Sequence, residues 1–520
     1  MTVREPASGT ERRGVAALCW WTVLLVLLLP VLLLYDRDVR AGAALAAQCV
    51  VVAHTGTALA RVLTDGRVRV VAFGFWLFCY IWLGLAPLAM LATDSYPRGF
   101  AVDAATAFTA TAVVEAGLLA YSAGAALAAG RPGRTSTAPS PVLTRRLVAT
   151  RVLLLCGLAL LLAGVLVPAQ GGLAVFFQSR QAVNEAVAQG TPGGSADRAL
   201  AAWSLSVPAF WALLALLHVP RAEGGDRILR GLRWILLPVL LAVNAVVNNP
   251  VSQPRFWAGT VLLTLVFSAP ALRRPRAFRV GAAAVTAAVL VLFPYGDHFR
   301  HDERRPVAVV PLTEQFTSNG DYDAFQQIAT GVDHVRENGF TPGAALGPPL
   351  FFVPRDSWPG KPADAGILLA RHAGYSFENL SAPLWIESYI WAGFPGVVAV
   401  FALLGTVSRR IDGIRHRLRE PGGTLAALAV PAFGFYQLIL LRGSLMSAAG
   451  PLVLLVAVSL LVTGRAGRRA APPGHVPPSL PPSAPGPGPR TDPRPGPRTA
   501  PTGGTHQTVP PSPPTGGART

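Results

Sequence analysis

For most of its length this chain neither alternates apolar and polar positions nor confines apolar residues to one helical stripe. It runs apolar for about twenty residues, breaks at a short polar segment, and resumes. Runs of that length match the roughly 30 Å hydrocarbon core of a bilayer, where only structures that satisfy their own backbone groups persist. Each run is therefore expected to be a transmembrane helix. They lie near residues 15–35, 41–60, 70–92, 104–129, 147–168, 199–219, 234–248, 256–272, 278–294, 384–407, 424–441 and 445–464. The expected fold class is an all-α polytopic membrane protein with about a dozen spans, and no segment is patterned as a β-barrel.

Polar segments divide the chain into a short N-terminus (1–14), a transmembrane unit (15–464) containing one large loop (295–383), and a tail (465–520). The tail is rich in Pro, Gly, Thr and Arg without apolar periodicity, and is expected to stay disordered. The loop is expected to fold. Tyr322, Phe325, Ala329 and Val332 predict an amphipathic helix over Asp321–Asn338, capped by Asp321, stopped by Gly339 and resting on the membrane or on neighbouring spans. A second helix is predicted around Ala363–His372, ended by Gly374.

Composition agrees with a bilayer solvent: 51% hydrophobic residues, mean hydropathy +0.43 and 14% charged residues. A net charge of +18 would fit nucleic acid, but its distribution does not. Arginines cluster after every second run: Arg61, Arg67 and Arg69; Arg131, Arg134, Arg145 and Arg146; Arg221, Arg227, Arg230 and Arg233; Arg273, Arg274, Arg276 and Arg279; Arg409 to Arg419. That alternation is the positive-inside pattern, placing both termini in the cytoplasm and segments 169–198 and 295–381 outside. The first run follows arginines and lacks a small-residue cleavage site, so it reads as a retained span. Cys19, Cys49, Cys79 and Cys156 all fall in apolar runs and read as packing residues.

Cations in the large loop stand outside that pattern. In Phe351-Phe352-Val353-Pro354-Arg355-Asp356-Ser357-Trp358-Pro359-Gly360-Lys361-Pro362, three prolines and a glycine set a turn that can aim Arg355 and Lys361 together. Lys361 is the chain's only lysine. A compact ammonium beside a bidentate guanidinium suits a phosphate, and lipid headgroups are the alternative contact. Asn248-Asn249-Pro250-Val251-Ser252-Gln253-Pro254-Arg255 reads equally as a broken helix lining a cavity or as a tight turn. Either places Arg255 near the headgroup plane. Arg180 is a further cation in the smaller loop, and Glu387 opens the span after the large loop, where a carboxylate suits a helix N-terminus as well as catalysis. His298 and His301 fit no strong zinc spacing. No P-loop, dinucleotide fingerprint or nucleophile elbow occurs. Group transfer outside the membrane would then need a donor already in it, such as a lipid diphosphate.

Three segments resemble the Wzy-type O-antigen polymerases, or oligosaccharide repeat unit polymerases: Asn249–Trp257, Phe352–Pro362, and Glu378-Asn379-Leu380-Ser381 leading through Glu387, Tyr389, Gly393 and Phe394 to Gly396. Pro-Arg-x-x-Trp-Pro-x-Lys-Pro is the most specific. The resemblance covers roughly 165–405; the short first outer loop and the proline-rich tail depart from the family. It implies a GT-C-like architecture and transfer of a growing glycan from polyprenyl diphosphate to an incoming lipid-linked repeat unit, on the outer face of the cytoplasmic membrane. On that reading Arg355, Lys361, Arg255 and, more weakly, Arg180 bind the diphosphate, without metal or cofactor. Glu387, Asp356, His372 and Glu378 are the candidate bases, with Glu387 grouped with Arg355 and Lys361 as catalytic. Tyr322, Trp358 and Tyr375 are candidates to stack on sugars. Expected partners are the lipid-linked oligosaccharide, membrane lipids, and flippase and chain-length regulator proteins; nucleic acid is not one. A glycan ligase with the same donor and a lipid-linked glycan transporter remain open alternatives.

Overall fold

Every apolar run read from the sequence is helical. The computed structural model describes residues 9–129, 142–178, 195–219, 227–293, 310–375, 377–378, 380–417 and 423–464. Helix α1 (Gly9–Val23) passes through a π-helical turn (Leu24–Leu28) into α2 (Leu29–Leu34), and α3 (Ala43–Thr64) follows. Helix α4 (Val70–Phe78) likewise continues through a π-helical stretch (Cys79–Leu85) into α5 (Ala86–Thr93). Next come α6 (Ala104–Ala129), α7 (Ala149–Ala169), α8 (Ser195–His218), α9 (Arg227–Val247), α10 (Arg255–Ser268) and α11 (Pro275–Leu292). Three short helices, α12 (Leu312–Ser318), α13 (Ala324–Asn338) and α14 (Ala365–His372), build the large loop before α15 (Leu384–Arg417), α16 (Leu425–Arg442) and α17 (Leu445–Leu461). Among the described residues eight helical segments are long and apolar enough to cross a membrane, and four shorter apolar helices accompany them. The chain is thus an all-α, membrane-embedded protein, with one two-residue antiparallel pairing among the described residues, Arg146–Leu147 against Thr463–Gly464.

The segment Val70–Thr93 is apolar on all sides and buried except in part at Ala72 and Thr93, making it the centre of the bundle. Its π-helical stretch and Pro87 leave backbone carbonyls without helical donors. Pro87 lacks the N–H that would reach Leu83 four residues back, and the Gln48 amide of α3 donates there at 2.7 Å and to the Gly84 carbonyl at 2.8 Å. Pro30 raises the same problem after the first π turn. The Tyr80 hydroxyl answers it, donating to the Leu25 carbonyl at 2.6 Å. The N-terminus of α4 is capped from α15, where Asp412 accepts from the backbone N–H groups of Val71 and Ala72 at 3.0 Å each.

Helices α6 and α15 touch backbone to backbone, the arrangement small residues permit in membrane bundles. A Cβ on Gly405 would fall 2.1 Å from the Tyr121 carbonyl oxygen, and one on Gly124 2.0 Å from that of Ala402. Helix α15 is itself broken at Ala392 and Gly393, where Gly393 takes φ +64° and Pro395 follows. Near that break the Ile390 carbonyl accepts from the Thr341 N–H of the loop at 2.8 Å. The broken helix therefore lies here. Asn248–Pro254 is the tight turn of the two readings: Asn248 donates to Asn244 at 2.8 Å, Gln253 donates to the Val247 carbonyl at 2.8 Å, and Asn249 accepts from Val251 N–H at 2.8 Å.

The loop helix predicted at Asp321 begins later, at Ala324. Asn319, rather than Asp321, caps the preceding 3₁₀ turn by accepting from the Asp321 N–H at 3.0 Å, and Gly339 ends α13 with φ +78°. Helix α13 is buried along nearly its whole length against α6 and α15, so it rests on neighbouring spans. Helix α14 starts at Ala365, capped by Asp364, which accepts from Gly366 N–H at 2.8 Å; Gly374 follows its end with φ +70°.

Substituting Gln48 by Leu leaves the Leu83 and Gly84 carbonyls without that donor and should cost about 1–3 kcal/mol. Gly405→Val drives a side chain into the α6 backbone and should cost about the same or more. Both changes should lower the apparent Tm of detergent-purified protein, measured by fluorescence-detected gel filtration after heating. An unaltered Tm for Gln48→Leu would show that the carbonyls find other donors.

Candidate functional site

The two-residue connector Gly443-Ser444, with Arg442 at the end of α16 before it, joins two polar clusters at the loop end of the bundle. In the first, Arg255 at the start of α10 pairs with the Asp321 carboxylate. Arg442 reaches the Asp323 carboxylate at 3.0 Å and the backbone carbonyls of Asp321 and Gly320 at 3.1 Å, while its guanidinium lies 4.9 Å above the Phe256 ring. Ser381 donates to Asp323 at 2.8 Å, and Trp82 Nε1 donates to the Asp321 carbonyl at 2.9 Å. Asp323 is 2% exposed, so its charge depends on these partners. Two arginines and two aspartates leave this cluster electrically balanced, and the charge of Arg255 is offset by Asp321.

The second cluster meets the N-terminus of α17. Glu387, buried in the first turn of α15, accepts from the Leu445 N–H at 3.1 and 3.3 Å through its two oxygens. Asp364 accepts from the hydroxyls of Ser444 and Ser447 at 2.7 Å each. One carboxylate is thus held by a backbone N–H of the helix start and the other by serine hydroxyls of its cap and first turn. Glu387 also lines a cavity of about 30 Å³ with Ala344, Pro348, Ala363, Trp391 and Met446. The cavity is about one water molecule in size, and Glu387 is the one charged group on its otherwise apolar lining.

Asp364 lies three residues after Lys361, so the basic loop runs directly into this cluster. The loop is laced to itself. Lys361 Nζ donates to the carbonyls of Phe351 and Val353 at 2.6 and 2.8 Å, and Arg355 donates to those of Lys361 and Pro362 at 2.9 and 3.3 Å. A small ammonium with three donors fits between two converging carbonyls. Among the described residues neither cation has a carboxylate within ion-pair distance, unlike Arg255 and Arg442; Arg355 is exposed and Lys361 half-buried.

The aromatic candidates are dispersed. Tyr322 is fully buried, its ring enclosed by Trp82, Phe293 and Phe316 at centroid distances of 5.7, 5.9 and 4.7 Å, so it offers no free face for stacking on a sugar. Burial, with the nearby Asp321 carboxylate adding to it, holds its phenol well above the ordinary tyrosine range. Trp358 is half-buried in the basic turn, and Tyr375 accepts from Gln326 Nε2 at 2.7 Å while packing on Phe377. Trp385 is buried in the core, donating to the Val114 carbonyl at 3.1 Å. Of the other base candidates, Glu378 is exposed and held by Arg371 at 2.8 and 2.9 Å, Asp356 is exposed, and His372 sits in a different cluster between α13 and α14. Arg180, His298 and His301 lie outside the described residues.

Arg442, Asp323, Asp364 and Ser444 were not singled out by motif. Arg442 carried one readable signal: it ends an apolar run on the side where the arginine alternation calls for none. Compared with protein-family models, with curated proteins and with solved structures, the chain finds no match.

Arg442→Leu strands the buried Asp323 charge and should cost about 3–5 kcal/mol, whereas the double change with Asp323→Leu should recover most of it. A double-mutant cycle on Tm in detergent measures this. Strictly additive losses would remove the coupling.

Proposed function

We propose that this chain polymerises polyprenyl-diphosphate-linked oligosaccharide repeat units into a surface polysaccharide, as a glycosyltransferase on the outer face of the cytoplasmic membrane. In this reading the eight long and four shorter apolar helices make twelve crossings, both termini are cytoplasmic, and the large loop faces outward. The observation that carries it is Glu387: a buried carboxylate on a water-sized cavity, where the broken helix α15, the start of α17 and the basic loop converge. The sequence resemblance in the same segments is the second support.

The chemistry follows from these parts. The acceptor hydroxyl loses its proton to Glu387 as its oxygen forms a bond to the anomeric carbon. The bond from that carbon to the diphosphate oxygen breaks, and polyprenyl diphosphate departs carrying the electron pair. Arg355 and Lys361, exchanging loop carbonyls for phosphate oxygens, stabilise the negative charge that grows on the leaving group. Arg255 and Arg442, already paired with aspartates, fix the electrostatic frame around them. An apolar groove of about 450 Å³, lined by Trp21, Leu29, Leu290, Val291 and Leu312, suits an isoprenoid chain.

Arg355→Ala and Lys361→Ala should each slow polymerisation about ten- to a thousandfold, and Glu387→Gln about a hundred- to ten-thousandfold. The readout is the size distribution of lipid-linked and surface glycan in cells lacking the protein and complemented with each variant, at matched protein levels. Accumulated single repeat units rescued only by wild type are expected. Long lipid-linked chains that are never transferred onward would indicate a ligase, and an unchanged glycan profile would overturn the enzymatic reading.

A further inference from the structure

The loop helices α13 and α14 bring together three metal-ligating side chains away from the Glu387 cluster. Asp333 and Glu337 stand one turn apart on α13, and His372 ends α14 facing both. His372 Nε2 lies 3.5 Å from Asp333 Oδ2, and His372 Nδ1 lies 3.9 Å from Glu337 Oε2. One ligand atom from each residue falls within 4.8 Å of the other two. A tetrahedral zinc-class ion with bonds of about 2.0–2.1 Å spaces its ligand atoms roughly 3.3 Å apart. The two His372 contacts use different ring nitrogens, so ligation through one nitrogen requires a carboxylate to swing toward it, and Glu337 is exposed enough to do so.

The surroundings fit a cation. Two carboxylates one turn apart on one helix repel each other, and they share a single imidazole between them. Arg336 pairs with Asp333 through Oδ1, leaving Oδ2 toward His372; the same guanidinium also lies 3.8 Å from Asp103 and 3.3 Å from the Thr106 hydroxyl. Arg371, next to His372, is engaged by Glu378. The His372 ring is held edge-to-face against the buried His334 ring, with centroids 5.0 Å apart, and His334 is itself tied to Asn338. That ring contact fixes the plane of the His372 imidazole.

We infer that Asp333, Glu337 and His372 form a binding site for a divalent cation of the zinc class, with water completing its coordination, that clamps α13 to α14. One imidazole nitrogen and two carboxylate oxygens suit Zn²⁺ and its analogue Co²⁺ better than Mg²⁺, which prefers an all-oxygen octahedron. The clamp braces the segment that carries Tyr375, already tied to α13 through Gln326. It is separate from the glycosyl-transfer reading.

The test uses the full chain, purified in detergent without a polyhistidine tag and stripped with EDTA, titrated with ZnCl₂ by calorimetry and with CoCl₂ by visible absorption. One saturable equivalent is expected, with Co²⁺ d–d bands and a higher Tm on Zn²⁺ addition. His372→Ala and Glu337→Gln should each weaken binding by more than about a hundredfold, beyond what loss of a supporting residue costs. Glu337→Gln changes an exposed side chain, so it keeps the test valid if His372→Ala misfolds. Absence of saturable binding, or equal binding by wild type and Glu337→Gln, would overturn the site.

Discussion

In an apolar solvent a backbone carbonyl released by a proline or a π turn has no water to turn to, and the centre of this bundle is organised around that constraint. Val70–Thr93 contains a π-helical stretch followed by Pro87, and Gln48 from α3 supplies the missing donor. Tyr80, inside that stretch, in turn supplies one for α1 beside Pro30. Helices α1, α3 and α4 are therefore locked in register by hydrogen bonds that substitute for their own, and the glycine contacts of α6 and α15 close the bundle from another side. The same rule extends to the loop end, where Thr341 serves the Ile390 carbonyl near the break in α15. That bond seats the loop on the helix that carries Glu387.

Helix positions were legible because uninterrupted apolar runs leave the backbone few alternatives in lipid. The ends of α13 and α14 at glycine were legible for a local reason, since Gly339 and Gly374 both take positive φ. The start of α13 was not. Asp321 looked like a cap from its spacing, but a partner distant in sequence, Arg255, takes its carboxylate, and Asn319 takes over the turn. Likewise the amide-rich turn after α9 reads from sequence as a candidate broken helix, whereas the break at Ala392–Gly393 in α15 carries no such sequence reading. Only the tertiary contacts reveal that the amides of the first are satisfied within the turn and by neighbouring helices.

The site was legible in part. The basic turn stood out because it holds the chain's single lysine on a backbone fixed by three prolines, and Glu387 because it is acidic at the mouth of a span. Arg442, Asp323 and Asp364 gain their importance from long-range pairing, which no local motif carries. Burial decides the matter for Tyr322 too: the periodicity that marked it as part of an amphipathic helix is also what draws it into the core.

The connector after α16 has a mechanical consequence. Only Gly443 separates Arg442, bound to Asp323, from Ser444, bound to Asp364. The two clusters thus hang on one short lever, with the basic loop attached at one side and α13 at the other. Any displacement of Ser444 is therefore carried through a single glycine to Arg442 and its contacts with Asp323 and the Gly320 and Asp321 carbonyls.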